Sequence, residues 1–197
     1  MRLVRFLFAG VALCAASVAI AGETVGVNGS AVQYPTESTA TIGDKKFPQK
    51  LTGTGMRKKA IINVYTIGSY VTTDFAGKTP EDLAGADVVK QLHLVMQRDI
   101  KGADMAHSFD GGIRANYPGE FEDELRKFGA MVRAQDVVKG DQVWITHVPG
   151  YGLHIHLVGK RSEFIPGMRF AKAVWDIYLG PKNVGEAVKK GLVSRLP

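Results

Sequence analysis

Gly53-Thr54-Gly55-Met56-Arg57-Lys58-Lys59, running on through Ile61, Ile62, Val64, Tyr65, Ile67, Tyr70 and Val71, decides the fold. Residues 51–57 and 60–73 read as two successive strands. Their β-branched and aromatic side chains suit a half-buried pleated surface, and Gly53, Gly55 and Gly68 mark bends, bulges or the close approach of another part of the chain. The glycine pair is not a dinucleotide loop, because a third glycine and a following helix are missing.

Outward from this pair, residues 24–50 alternate in short apolar bursts between Asn28-Gly29, Pro35 and Gly43-Asp44, a small N-terminal β-hairpin region. On the other side, Thr79-Pro80-Glu81-Asp82 starts a helix: a capping threonine, proline at the first position and acids in the first turn. Leu92, Leu94 and Met96 alternate as a strand. Met105, Phe109, Ile113 and Asn116 form a helical stripe that Pro118 stops, and Phe121, Leu125, Phe128 and Val132 form a second. Strands over 141–148 and 153–159 are joined by Pro149-Gly150-Tyr151-Gly152, a turn. The end is helical: Phe170, Val174, Ile177 and Tyr178 share a face, Gly180-Pro181 breaks the helix, and it restarts over 186–196. Strands, a helical block, a hairpin and closing helices give an α+β chain with a mainly antiparallel sheet covered on one face.

Residues 1–21 read as a secretory signal peptide. Arg2 and Arg5 precede an apolar run that is short for a membrane span, and Ala19-Ile20-Ala21 supplies a cleavage site after Ala21. Cys14 follows Leu13, which does not fit a lipoprotein signal. The expected location is periplasmic or secreted. Removing 21 of 197 residues leaves 176, lowers the net charge from +6 to +4 and takes away the only cysteine. Such a chain holds together by its core alone, without a disulfide. No later stretch approaches the ~20 apolar residues of a transmembrane helix. The expected division is 22–49 as an N-terminal β extension and 50–197 as the main body of one domain.

Three stretches together resemble the chalcone isomerase family in its bacterial chalcone-isomerase-like branch. They are the Gly53–Lys59 run with Asn63 to Val71, Lys139-Gly140-Asp141 to Gly159-Lys160, and Trp175-Asp176-Ile177-Tyr178-Leu179-Gly180-Pro181-Lys182 to Leu192. The resemblance implies an open-faced β-sandwich: a large antiparallel sheet with a helical layer and a ligand cleft between them. The plant enzymes of this family close a chalcone into a flavanone with an arginine, a strand threonine, a tyrosine and an asparagine on a helix, and a C-terminal hydroxyl. On this chain the arginine carries over to Arg57 and the asparagine to Asn116. The threonine falls on Tyr65, beside Thr66. The tyrosine falls on Phe109 and the last hydroxyl on Ile177, neither of which has a polar group.

Cyclisation needs a held phenolate and a polarised ketone, and each lost donor costs roughly 100- to 1,000-fold in comparable sites. The substitutions leave an apolar slot with one arginine, suited to an amphiphile with an anionic head. The non-catalytic branch of the family includes fatty-acid binders in which an arginine and a tyrosine grip the carboxylate; Arg57 and Tyr65 resemble that pair. The expected function is therefore a non-catalytic binder of a small apolar or amphiphilic, fatty-acid-like ligand, with ligand-binding residues Arg57, Tyr65, Asn116, Phe109 and Ile177. Two alternatives stay open: an isomerase of the intramolecular-lyase type acting on another substrate, and an envelope interaction protein. Arg57 also reads as part of a solvated basic run with Lys58 and Lys59, Tyr65 as a core aromatic and Asn116 as a helix C-terminal residue. His154 and His156 point to one strand face with His147 opposite, a set without a metal-site motif that reads as a solvated face. No cofactor is expected. The basic pairs are scattered and lack interleaved aromatics, so no nucleic-acid partner is expected either.

Overall fold

The structure is a computed structural model that describes residues 22–197; the expected export signal lies outside the described residues. A short hairpin, β1 (Thr24–Gly26) and β2 (Gln33–Pro35), opens the chain. Seven strands then neighbour one another in chain order: β3 (Glu37–Ile42), β4 (Lys45–Lys59), β5 (Ile62–Thr72), β6 (Lys90–Met96), β7 (Gln142–Val148), β8 (Gly152–Leu157) and β9 (Arg161–Pro166). Every pairing is antiparallel. Helices α1 (Pro80–Gly85), α2 (Gly102–Asn116), α3 (Glu122–Arg133), α4 (Met168–Leu179) and α5 (Glu186–Leu192) complete the fold. This is the expected α+β architecture.

Three details differ from the sequence reading. The stretch 24–50 is two structures, since the chain joins the large sheet at β3 and β4 starts at Lys45. Strand β9 was not anticipated: Arg161, Ser162 and Glu163 give it a polar start, and Pro166 ends it at a sheet edge, where a missing N–H costs nothing. The sheet is also covered on both faces. Ile67, Val71, Leu92, Leu94, Ile145, Leu153 and Ile155 pack against the helices, whereas Leu51, Tyr70 and Trp144 pack against Val27 and Tyr34 of the opening hairpin. Gly68 makes the second cover possible. A Cβ there would lie 2.5 Å from the Tyr34 ring, and the Tyr34 hydroxyl pairs with Thr66 Oγ1 at 2.8 Å.

On the helical side α4 is the centre of the core. Phe170, Ala171, Ala173, Val174, Trp175, Tyr178 and Leu179 are fully buried. Its Asp176 turns aside to pair with Lys172 at 2.6 Å and to accept from the Tyr117 hydroxyl at the end of α2. The start of α1 is as read: Thr79 and Asp82 form a reciprocal capping box after which Pro80 opens the helix.

Helix α5 lies directly on β4, and three glycines allow it. A Cβ on Gly53 would sit 2.0 Å from the Gly191 carbonyl oxygen, and one on Gly191 would sit 2.3 Å from the Thr54 carbonyl oxygen. Gly55 faces Val188 at ordinary contact distance. The Thr52 hydroxyl donates to the Leu192 carbonyl at 2.7 Å and is hydrogen-bonded with the Ser69 hydroxyl at 2.8 Å. Gly53 also has φ +154°, a conformation side chains resist. Gly53→Ala is expected to destabilise the protein by about 3 kcal/mol in urea unfolding. Gly111→Ala, on the exposed face of α2 with open space around it, should stabilise by about 0.5 kcal/mol.

One buried cation belongs to the same layer. Lys90 is inaccessible to solvent, and its Nζ donates to the carbonyls of Leu83, Ala84 and Ala86 at 2.7–2.8 Å. It satisfies the exposed C-terminus of α1, which has no other cap of this kind. Burial pulls its pKa from 10.5 down to about 7, opposed by Asp176 and Asp87 and assisted by Lys172. Between those values the unfolded chain holds the proton that the folded chain releases, so stability rises with pH. Wild type should therefore gain stability relative to Lys90→Met from about pH 7 upward, and the difference should be flat below it; a difference independent of pH across that window would contradict this account.

Candidate functional site

A cleft of about 680 Å³ opens between the helix-side face of the sheet and helices α2 and α4, within the ~300–1,000 Å³ of small-molecule sites. Its polar end is built on β4 and β5. Arg57 and Tyr65 are direct register partners, so their side chains stand side by side on the same face. The register shifts just beyond them, between Arg57 and Lys58, a bulge of the kind that re-aims side chains. Arg57 Nη1 donates to the Val184 carbonyl at 2.6 Å and to the Lys58 carbonyl at 2.8 Å. Among the described residues its Nη2 and Nε have no partner.

Tyr178 of α4 completes this end. It is fully buried and lines the cleft, and its hydroxyl makes no full hydrogen bond among the described residues but interacts with the hydroxyl of Tyr65. Burial raises its pKa well above the usual phenol value, with Tyr65 adding to the rise and Arg57 opposing it. Burial likewise raises the pKa of Tyr65, with Tyr178 and Arg57 pulling it back. Both phenols therefore keep their protons at neutral pH. The result is a guanidinium and two O–H groups at one end of the cleft, with no carboxylate paired to them among the described residues.

The inner wall of the rest of the cleft is apolar, and His107 and Ser108 of α2 lie among its polar lining. Leu94 and Met96 of β6, Val143 of β7, Met105 and Phe109 of α2, and Ile177 of α4 line it. Phe109 meets Phe128 of α3 edge to face at 4.8 Å. Beyond Phe109 and Val143 a narrow apolar recess of about 40 Å³ continues between Met131, Ile145, Ile155 and Leu157. The rim carries Lys59, Arg98 and Lys101 with Asp99, Asp104 and Asp136. Asp136 braces it, accepting from Gly102 N at 3.0 Å at the start of α2 and from Lys101 at 2.7 Å; Lys101 is the main reason its carboxyl lies below the usual range.

Of the five residues expected from the sequence, the fold gathers Arg57, Tyr65, Phe109 and Ile177 in this cleft. Asn116 is elsewhere. Its Nδ2 donates to the carbonyls of Gly112 and Lys182 and its Oδ1 accepts from Lys182 N. It clips the end of α2 to the loop between α4 and α5. Tyr178 was not anticipated as a site residue, because it lies in the stretch 173–179, which is buried throughout, and periodicity cannot single out one buried hydroxyl there. The histidines separate: His154 and His156 face away from the helices, whereas His147 is the register partner of Leu153 and bonds Asp87 at 2.9 Å. His154 is buried rather than solvated.

A family model described as chalcone isomerase-like matches residues 24–194. The chain belongs to the chalcone isomerase-like family. Among solved structures, the crystal structure of a fatty-acid binding protein from Arabidopsis thaliana superposes with a TM-score of 0.66 at 18% identity, over 87% of this chain and 96% of that one. That likeness is one of fold. No curated protein matches in sequence.

An unpartnered buried hydroxyl costs stability, roughly 1–3 kcal/mol by comparison with a satisfied one. Tyr178→Phe is accordingly expected to raise the stability of the ligand-free protein by about 1 kcal/mol in urea unfolding. A loss of stability would show that the hydroxyl is satisfied within the chain.

Proposed function

We propose that the protein is an exported, non-catalytic binder of an amphiphile with an anionic head and an apolar tail, a fatty acid or a close analogue. The observation that carries this reading is that Arg57, Tyr65 and Tyr178 stand together at one end of a cleft whose inner wall is apolar and whose rim is charged. A carboxylate offers several lone pairs and a negative charge, so it answers the unpaired donors in one step. The tail then lies along Leu94, Met96, Phe109 and Ile177 toward the recess. The fatty-acid binding activity named for the Arabidopsis thaliana structure supports the same reading. Export rests on residues 1–21, with cleavage after Ala21.

The alternative is an isomerase of the intramolecular-lyase type. Tyr178 favours it in one respect: it returns a hydroxyl beside Ile177, whose position has lost the family's polar group. Against it, Phe109 offers a developing enolate no hydrogen bond.

Native mass spectrometry of protein recovered from the cell envelope tests the first reading. The expected species lacks residues 1–21 and carries a fatty-acid-sized adduct. Arg57→Ala should weaken binding of a long-chain fatty acid about 10- to 100-fold, the worth of a charge-assisted hydrogen bond pair. Protein that is empty and also fails to bind fatty acids would overturn the binder reading. Conversion of a chalcone faster than buffer, lost in Arg57→Ala, would establish the isomerase instead.

A further inference from the structure

The turn between β4 and β5 is chemically odd. Lys59 and Ile62 are the last register pair, so Ala60 and Ile61 alone make the turn. Ala60 has φ 54°, where glycine or asparagine is the usual occupant. Ile61 is 93% exposed and Ile62 49% exposed. A two-residue hairpin turn gains nothing from isoleucine, and among the described residues Ile61 packs against almost nothing and Ile62 leaves half its surface open. Lys58 and Lys59 stand beside them, both exposed.

The tip lies at the rim of the cleft. Arg57, Lys59, Val64, Arg98 and Val138 all line that opening, and Val138 is a further exposed apolar side chain at 48%. Lys139, next to it, is also exposed. Among the described residues Lys58, Lys59, Arg98 and Lys139 form no ion pair. Of the three rim acids, Asp136 pairs with Lys101 and Asp99 Oδ1 accepts from Lys139 N at 2.8 Å, which leaves the Asp104 carboxylate against the four cations.

We propose that this rim is a docking surface for an anionic lipid bilayer, with Ile61 and Ile62 entering the headgroup region and Lys58, Lys59, Arg98 and Lys139 facing the lipid phosphates. Exposed apolar side chains flanked by cations bind such interfaces through burial and charge together. A second copy of the chain fits the surface less well. A two-fold contact would set the same cations against one another, and a hairpin tip is far smaller than a stable protein interface. Docked this way, the cleft opens toward the membrane. Its use in moving a ligand to or from the bilayer rests on the amphiphile reading above; the docking does not.

The test is co-sedimentation with vesicles, using wild type and the double variant Ile61→Ser, Ile62→Ser. Wild type should pellet with vesicles of phosphatidylglycerol and phosphatidylcholine, much less with phosphatidylcholine alone, and less as salt is raised. The double variant should bind the mixed vesicles at least about tenfold more weakly. Its unfolding midpoint and its fatty-acid binding in solution should match wild type, since both side chains are exposed. Wild type that ignores anionic vesicles, a variant that binds them equally, or a variant whose only change is the loss of a dimer in solution would each overturn the proposal. Vesicle binding by a protein that takes up no fatty acid would sustain the docking surface and remove the amphiphile reading.

Discussion

The site depends on the contact in which α5 rests on β4 backbone to backbone. Gly53 and Gly191 leave no room there for a side chain, and the Thr52 hydroxyl ties the end of α5 to the same point. Once α5 is seated, the loop that precedes it has few places to go. Val184 in that loop donates to the Ile177 carbonyl at 2.8 Å and presents its own carbonyl to Arg57. Asn116 fastens the loop from the other side through Lys182. The arginine is thus aimed by a chain of contacts through α5, α4 and α2, none of them its sequence neighbours except Lys58. A residue held this firmly loses little further freedom on meeting a ligand, which is how preorganisation adds to affinity.

Two cationic centres, Lys90 buried and Arg57 half-buried, sit on the same face of the sheet, and their surroundings separate their roles. Lys90 delivers all three of its protons to carbonyls of the α1 terminus. Nothing remains for a ligand, and the group is part of the scaffold. Arg57 uses one nitrogen on the scaffold and leaves the others without a partner among the described residues, next to the hydroxyls of Tyr65 and Tyr178, which interact with each other. Buried polar groups are nearly always paired, so unpaired donors lining a cavity mark where an acceptor belongs. The apolar length of the cleft then limits what may be attached to that acceptor.

Much of the fold is legible in the sequence because its signals are local. The alternation through Tyr65, Ile67 and Val71, the Thr79–Asp82 capping box and the stripe from Met105 to Asn116 each fix an element by the chemistry of a few neighbouring residues. Strand β9 escapes this logic, since its polar start gives no alternation and only pairing with β8 makes it a strand. The cover on the second face escapes it as well. Gly68 reads as a position of close approach, but that Tyr34 approaches it is a fact of packing. The candidate site divides the same way. Arg57 and Tyr65 stand in strands whose register brings them together, whereas Tyr178 is hidden in the wholly buried second half of α4 and Asn116 spends its amide on a loop.

The sequence by itself determined the order and kind of most elements, the positions where backbones must touch, and an apolar slot carrying an arginine. The first two follow from side-chain chemistry within a few residues along the chain, and the slot is what the family resemblance implies. Tertiary structure decided which glycine meets which partner, that Arg57, Tyr65 and Tyr178 share one end of the cleft, and that Ile61 and Ile62 stand uncovered at its rim. These are contacts between residues far apart in sequence, set by strand register and by the seating of α4 and α5, and no local pattern encodes them.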